Sequence, residues 1–318
     1  MEAEFPVEVV GRREIAERIV ELRLRAVDGE APRWEPGAHI DLVFTRFLSA
    51  RYSLCGDPED RDSDVLTVAV QREKGGRGSS LYVHNMVKVG ERLRARGPRN
   101  GFPLLPAGRY LFIAGGIGIT PLLPMLHTLT ARGERWSLAY AGRSRASMAY
   151  LPELAALAES GGGEVEVWAR DEAGPLGLDA LLGEAGPGAD VYCCGPESLL
   201  AAVEQRCAGW PAGVLHVERF APKPPDPAAD APFEVACARS GVTVQVPSGI
   251  TILDALDRAG VYAEALCRVG TCGECETPIL EGTADHRDFV LGPQERERGK
   301  VIMTCCSRAL GPRLVLDV

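Results

Sequence analysis

A chain of 318 residues, 46% hydrophobic and 25% charged, has the make-up of an ordinary folded protein with room for two or three domains. Its 44 acidic residues outnumber its 35 basic ones, and the net charge of −9 argues against nucleic acid as a partner. Ten cysteines, with adjacent pairs at Cys193-Cys194 and Cys305-Cys306, fit metal ligands and free thiols in a reducing compartment better than a disulfide scaffold. There is no basic, apolar leader after Met1 and no apolar run of spanning length, so a cytoplasmic location without a membrane partner is expected.

Residues 1–105 read as β-rich. Runs at Val7, Ile19, His39 and Leu66 alternate or stay apolar between Gly, Pro and Asp turns, the spacing of a small antiparallel barrel. Within it, Arg51-Tyr52-Ser53 combines a fixed fork of donors for a phosphate, a ring to lie against a planar cofactor and a hydroxyl for a ring nitrogen. The plain alternative is three common strand residues. Gly75-Gly76-Arg77-Gly78-Ser79-Ser80 offers backbone N–H groups to an anion before a helix, or is a flexible hairpin tip.

The texture changes after residue 105. Tyr110 to Ala114 is a continuous apolar strand, followed by Gly115-Gly116-Ile117-Gly118-Ile119-Thr120-Pro121 and a helix expected to open at Thr120-Pro121. Further strands at Trp136, Glu164 and Asp190 alternate with helical stretches at 152–159 and 197–207, which predicts a parallel α/β sheet. The glycine turn between strand and helix is where a pyrophosphate is cradled, although it departs from the GxGxxG spacing and could be a tight turn only. Cys194-Gly195-Pro196 stands at a second strand end, where a thiol could line a nicotinamide pocket; Cys193 reads as a small buried hydrophobe.

Residues 221–232 carry five prolines in twelve positions, a semi-rigid spacer. Beyond it, Phe233 and Val242 open a hairpin about Gly241, and a helix is predicted over 252–259. Then comes Cys267-x4-Cys272-x2-Cys275 with distant cysteines at 305 and 306, the plant-type spacing for a [2Fe–2S] cluster. Gly270 and Gly273 let backbone amides approach the sulfurs. Zinc is the competing occupant, but only one pair here has knuckle spacing.

Taken together, these segments resemble the phthalate dioxygenase reductase family, which includes vanillate demethylase reductases. The resemblance runs over nearly the whole chain. It implies an antiparallel flavin-binding β-barrel (1–105), a parallel α/β nicotinamide-binding domain (106–222), a proline-rich linker (223–232) and a C-terminal β-grasp ferredoxin domain (233–318). It assigns Arg51, Tyr52, Ser53, Leu54, Gly78, Ser79, Ser80, Thr120 and Phe220 to the flavin, with Phe220 covering its ring. Gly115, Gly116, Gly118, Pro121, Arg143, Ser144, Cys194, Gly195 and Pro196 go to NAD(P)H. The cluster falls to Cys267, Cys272, Cys275 and Cys305, leaving Cys306 a bystander.

The chemistry so implied is hydride transfer from nicotinamide to flavin beside Ser53, Thr120 and Cys194, then single electrons through the cluster to a terminal oxygenase. A Rieske-type aromatic oxygenase or demethylase is the expected partner, with a cytochrome P450 second and a non-turnover redox sensor as a different class of reading. FMN is expected over FAD. NADH follows from the family, yet Arg143-Ser144-Arg145 stands where related NADH-using proteins often carry an Asp, so NADPH stays open.

Overall fold

The structure is a computed structural model that describes residues 4–29, 31–45, 48–58, 64–73, 78–186, 188–220, 230–265, 268, 270, 273–288 and 290–318. These form two compact units, Met1–Arg219 and Phe220–Val318. Among the described residues no helix is long and apolar enough to cross a membrane.

The first unit begins with six antiparallel strands: β1 (Glu4–Ala16), β2 (Ile19–Ala26), β3 (Ala38–Thr45), β4 (Leu48–Ser53), β5 (Val65–Gln71) and β6 (Arg92–Asn100). They lie in the order β4-β3-β6-β1-β2-β5, and a bridge between Leu54 and Val68 joins the two edges. The period-2 pattern turns Val7, Val9, Leu22, Leu24, Ile40, Leu42, Leu66 and Val68 into one core. The Leu54–Val68 bridge brings the two edge strands together, so the sheet curls towards a barrel. Helix α1 (Ser79–Asn85) packs against β4 and β5.

The second sheet of this unit is parallel: β7 (Tyr110–Gly115), β8 (Trp136–Gly142), β9 (Gly163–Ala169), β10 (Asp190–Cys194) and β11 (Leu215–Glu218), in the order β11-β10-β7-β8-β9. Every residue of β7 is buried, as a central strand covered on both faces requires. Tyr110, Phe112 and Ala114 pack on one face with α2 (Leu123–Ala131) and α3 (Leu151–Glu159). Leu111 and Ile113 meet α5 (Leu178–Ala185) and α6 (Glu197–Cys207) on the other; the short α4 (Arg170–Ala173) follows β9. Strand order reverses between β7 and β10, which opens a crevice at their carboxyl ends. The helix expected at Thr120-Pro121 starts later, at Leu123, because residues Gly116–Ile119 wind first into a 3₁₀ turn.

The other unit is a β-grasp. Its sheet runs β13-β12-β18-β14-β16, from β12 (Phe233–Cys237), β13 (Thr243–Val246), β14 (Glu276–Glu281), β16 (Val301–Met303) and β18 (Arg313–Leu316), with β15 (Ala284–Asp285) paired to β17 (Arg308–Ala309). Helix α7 (Ile252–Arg258) packs beside β13 and is capped by Thr251, whose Oγ1 accepts the Asp254 N–H at 3.0 Å. A last helix, α8 (Pro293–Arg298), precedes β16. Of the expected linker, residues 223–229 lie outside the described residues, whereas 230–232 belong to this second unit.

Candidate functional site

In the first unit the crevice is built by two turns that only glycine permits. A Cβ on Gly118 would sit 2.2 Å from the Cys194 carbonyl oxygen, and one on Gly115 would sit 2.6 Å from Pro196 Cδ. Gly195 is close as well, its would-be Cβ 3.0 Å from Gly115 Cα. The turn after β7 and the turn after β10 therefore lie backbone to backbone, with Gly116 at φ +55°. Tyr140 Oη donates to the Gly116 carbonyl at 3.1 Å and holds the turn from below. Thr120 is buried and its hydroxyl donates to the Ile117 carbonyl at 2.9 Å, so its proton serves the turn while its lone pairs stay open. Pro121 is buried behind it.

The barrel residues reach the same place. Cys194 pairs in register with Glu218, and Glu218 lies within electrostatic reach of Arg51. Arg51 Nε donates to Asp41 Oδ1 at 3.3 Å, and Arg99 pairs with the other oxygen of that carboxylate. Ser53 is buried opposite His39 in the β3–β4 register; Leu54 is fully buried in the barrel core, and Tyr52 packs against it with Phe44 at 6.4 Å. Packing of α1 on β4 brings Gly78, at φ +99°, and the following Ser79 and Ser80 to this side of the barrel. Ser80 Oγ is already engaged, accepting the Glu73 N–H at 3.2 Å. Gly75, Gly76 and Arg77 lie outside the described residues.

Three electrostatic features here had no clear sequence signal. Burial pushes the Glu218 carboxyl up to about 7, against the opposing pull of Arg51. Burial, with Arg51 and Arg99 nearby, lowers His39 to about 3, so its ring is neutral, and its Nε2 has no partner among the described residues. Burial also drives the Cys194 thiol well above its ordinary range, ahead of the nearby Glu218 charge, so it is a neutral group and no base. Cys193 points the other way, into the core formed with α5 and α6.

At the end of β8, Arg143 is exposed, while Arg145 is bound by Glu172 at 2.9 Å. Ser144 caps its own turn, its N–H donating to Ser147 Oγ at 3.2 Å. The Asp171 N–H donates to the Arg143 carbonyl at 3.2 Å, so the acidic start of α4 stands beside this loop. Phe220, 45% exposed, opens the second unit two residues after Glu218. Arg219 between them is anchored to α6 through Glu197 and Glu204 at 3.1 and 2.6 Å.

In the second unit, β14 pairs with β16 so that Glu276 faces Met303. That register sets Cys275 beside Thr304, whose hydroxyl and N–H both approach the Cys275 carbonyl at 3.3 Å, and puts Cys305 next in line. Cys275 and Cys305 are buried together with Leu253, Leu291 and Met303, while Cys306 is only partly covered. The Gly270 N–H points at Cys305 Sγ from 3.1 Å. Gly270 has φ +71°, and a Cβ there would lie 2.4 Å from Cys306 Sγ, so the loop must carry glycine to come this close. Arg268 pins the same loop to α7 through Asp257 at 2.7 Å and Asp254 at 3.3 Å. Cys267 and Cys272 lie outside the described residues. Two buried thiols in one apolar cluster, one with an amide aimed at its sulfur, fit half of the donor set of an iron–sulfur centre.

Comparison with known proteins gives the same division. A family model described as a 2Fe-2S iron-sulfur cluster binding domain matches residues 235–310, which decides against zinc, and an oxidoreductase NAD-binding domain matches 112–205. The chain is 43% identical to the phenoxybenzoate dioxygenase subunit beta of Ectopseudomonas oleovorans, over 94% of this chain and 92% of that one. Among solved structures it is similar to phthalate dioxygenase reductase, a modular structure for electron transfer from pyridine nucleotides to [2Fe-2S], at 32% identity and TM-score 0.70, covering 99% and 98% of the two chains. It also matches an intact type IV self-sufficient cytochrome P450 monooxygenase at 44% identity and TM-score 0.77; this covers 99% of the present chain and 41% of that one, so the chain spans about two fifths of that protein.

Proposed function

The chain belongs to the phthalate dioxygenase reductase family, and from that membership we propose that it is the reductase component of a multicomponent oxygenase, taking electrons from NADH and passing them on through a [2Fe–2S] cluster. The observation that carries this reading is the meeting of Arg51, Cys194, Gly118 and Glu218 at one crevice, on a chain that also carries the buried pair Cys275 and Cys305. When bound, a flavin accepts two electrons from a reduced nicotinamide and yields them singly to an iron–sulfur centre.

The residues would work by placement. Gly115, Gly116, Gly118, Gly195 and Pro196, with Pro121 behind them, shape a turn against which a dinucleotide lies. Arg51 with the Gly78, Ser79 and Ser80 backbone would hold the phosphate of FMN, and Tyr52, Ser53, Leu54 and Thr120 would line its ring. Ser53 and Cys194 orient the reacting faces without exchanging protons, since the buried thiol stays neutral. Phe220 would cover the flavin. Arg143 and Ser144 would meet the adenosine ribose, and Glu172, by engaging Arg145, takes one cation away from a 2′-phosphate, which favours NADH over NADPH. Cys267, Cys272, Cys275 and Cys305 would bind the cluster.

For the terminal partner a Rieske-type oxygenase is the first reading. The similarity to a P450 monooxygenase favours a haem partner as the second. Rapid mixing with NADH tests the core of the proposal: flavin absorbance should bleach before or together with that of the cluster, and NADPH should be much slower. Cluster reduction in flavin-free chain refutes the order, and negligible turnover with any acceptor would make the chain a sensor. Mass spectrometry of the released flavin decides between FMN and FAD, and reconstitution with purified Rieske and P450 oxygenases decides the partner.

A further inference from the structure

Asp230 lies near the end of the proline-rich stretch and is buried. Its Oδ1 accepts from Arg287 Nη2 at 2.7 Å, and its Oδ2 lies 3.4 Å from Arg308 Nε. Arg287 Nε also donates to Asp285 at 2.7 Å, and its backbone N–H donates to Ser307 Oγ at 3.1 Å. Arg308, 4% exposed, donates to the carbonyls of Ile250, Pro247 and Ala231 at 2.5, 3.1 and 3.2 Å, with its guanidinium 4.9 Å from the Phe233 ring centre. Two guanidiniums and two carboxylates thus form a neutral group that joins residues 230–231 to the segment directly after Cys305-Cys306.

Burying such a network costs desolvation that an apolar cluster of equal volume would avoid, so its return is a fixed geometry. We propose that Asp230, Arg287 and Arg308 form a clasp that locks the end of the tether to the segment carrying Cys305, making Asp230 a positioning residue for delivery of electrons to the cluster. This rests on the assignment of Cys305 to the cluster made above. The clasp also gives Arg308 a task distinct from ligation: it reads where the tether ends.

The test uses the full-length chain with its cofactors. Asp230→Asn keeps the side chain's shape and removes its charge. Iron and sulfide content, the circular dichroism of the cluster and the rate of flavin bleaching by NADH should match the wild type. Cluster bleaching should slow about tenfold, and Asp230→Glu should restore part of the rate. Unchanged cluster bleaching in Asp230→Asn overturns the clasp. If that variant is isolated without its cluster, Arg287→Lys, which keeps the charge and gives up the bridging fork, carries the same comparison. Loss of the cluster there too overturns positioning in favour of simple scaffolding. Wild-type chain whose cluster stays oxidised in NADH overturns the electron-transfer reading itself, and the clasp with it.

Discussion

Glu218 provides a quantitative check on the crevice. Its carboxyl is raised from the ordinary 4.5 to about 7 by burial at the end of β11, with Arg51 pulling the other way. The native chain therefore holds a proton that the unfolded chain releases. The stability this gives is complete below pH 4.5 and lost as pH rises through 7. From those two values, linkage predicts that stability relative to a Glu218→Gln variant falls by about 2 kcal/mol between pH 5.5 and pH 8, an upper figure for a side chain that is partly solvated. The four tryptophans, at 34, 136, 168 and 210, all lie in the first unit, so their fluorescence during urea unfolding reports this unit alone. Unfolding curves for wild type and Glu218→Gln should diverge with rising pH, the variant becoming relatively more stable. A difference that stays flat from pH 5.5 to 8 refutes the raised carboxyl and the close approach of β11 to the barrel that accounts for it.

Gly118→Ala would place a methyl 2.2 Å from the Cys194 carbonyl, so the two turns must part at a cost of about 1–3 kcal/mol; the KM for NADH should rise while flavin content is kept. Cys305→Ala should lose the visible absorbance of the cluster and Cys306→Ala should keep it; the reverse would shift the ligand assignment by one residue. Tyr150 sits at φ +63°, donates to Glu21 Oε2 at 3.1 Å and lies 3.2 Å from Cys55 Sγ, tying α3 to the barrel. Tyr150→Phe removes that link, and tryptophan-monitored unfolding should show a loss of about 1–2 kcal/mol.

Local chemistry made much of this molecule readable in advance. The run at Tyr110 could only be a central strand, and the glycines at 115 and 118 marked the turn because only glycine tolerates the approach of Pro196 and Cys194, with Gly116 between them at positive φ. The cluster loop announced itself by thiol spacing. What stayed hidden was everything that depends on a partner from another strand. Glu218 is an ordinary acid until burial and Arg51 are both known. The loop after β8 reads as basic from its own residues because the carboxylate that engages Arg145, Glu172, arrives after β9, some thirty residues later. Cys305 and Cys306 are alike in sequence; the pairing of Glu276 with Met303 turns one inward beside Cys275 and leaves the other half covered. The same holds for Arg308, which is one basic residue among many in the sequence until Asp230, on the far side of a hairpin and a helix, is found against it. In each case the sequence names the group, and only the register of the sheets says which charge it answers.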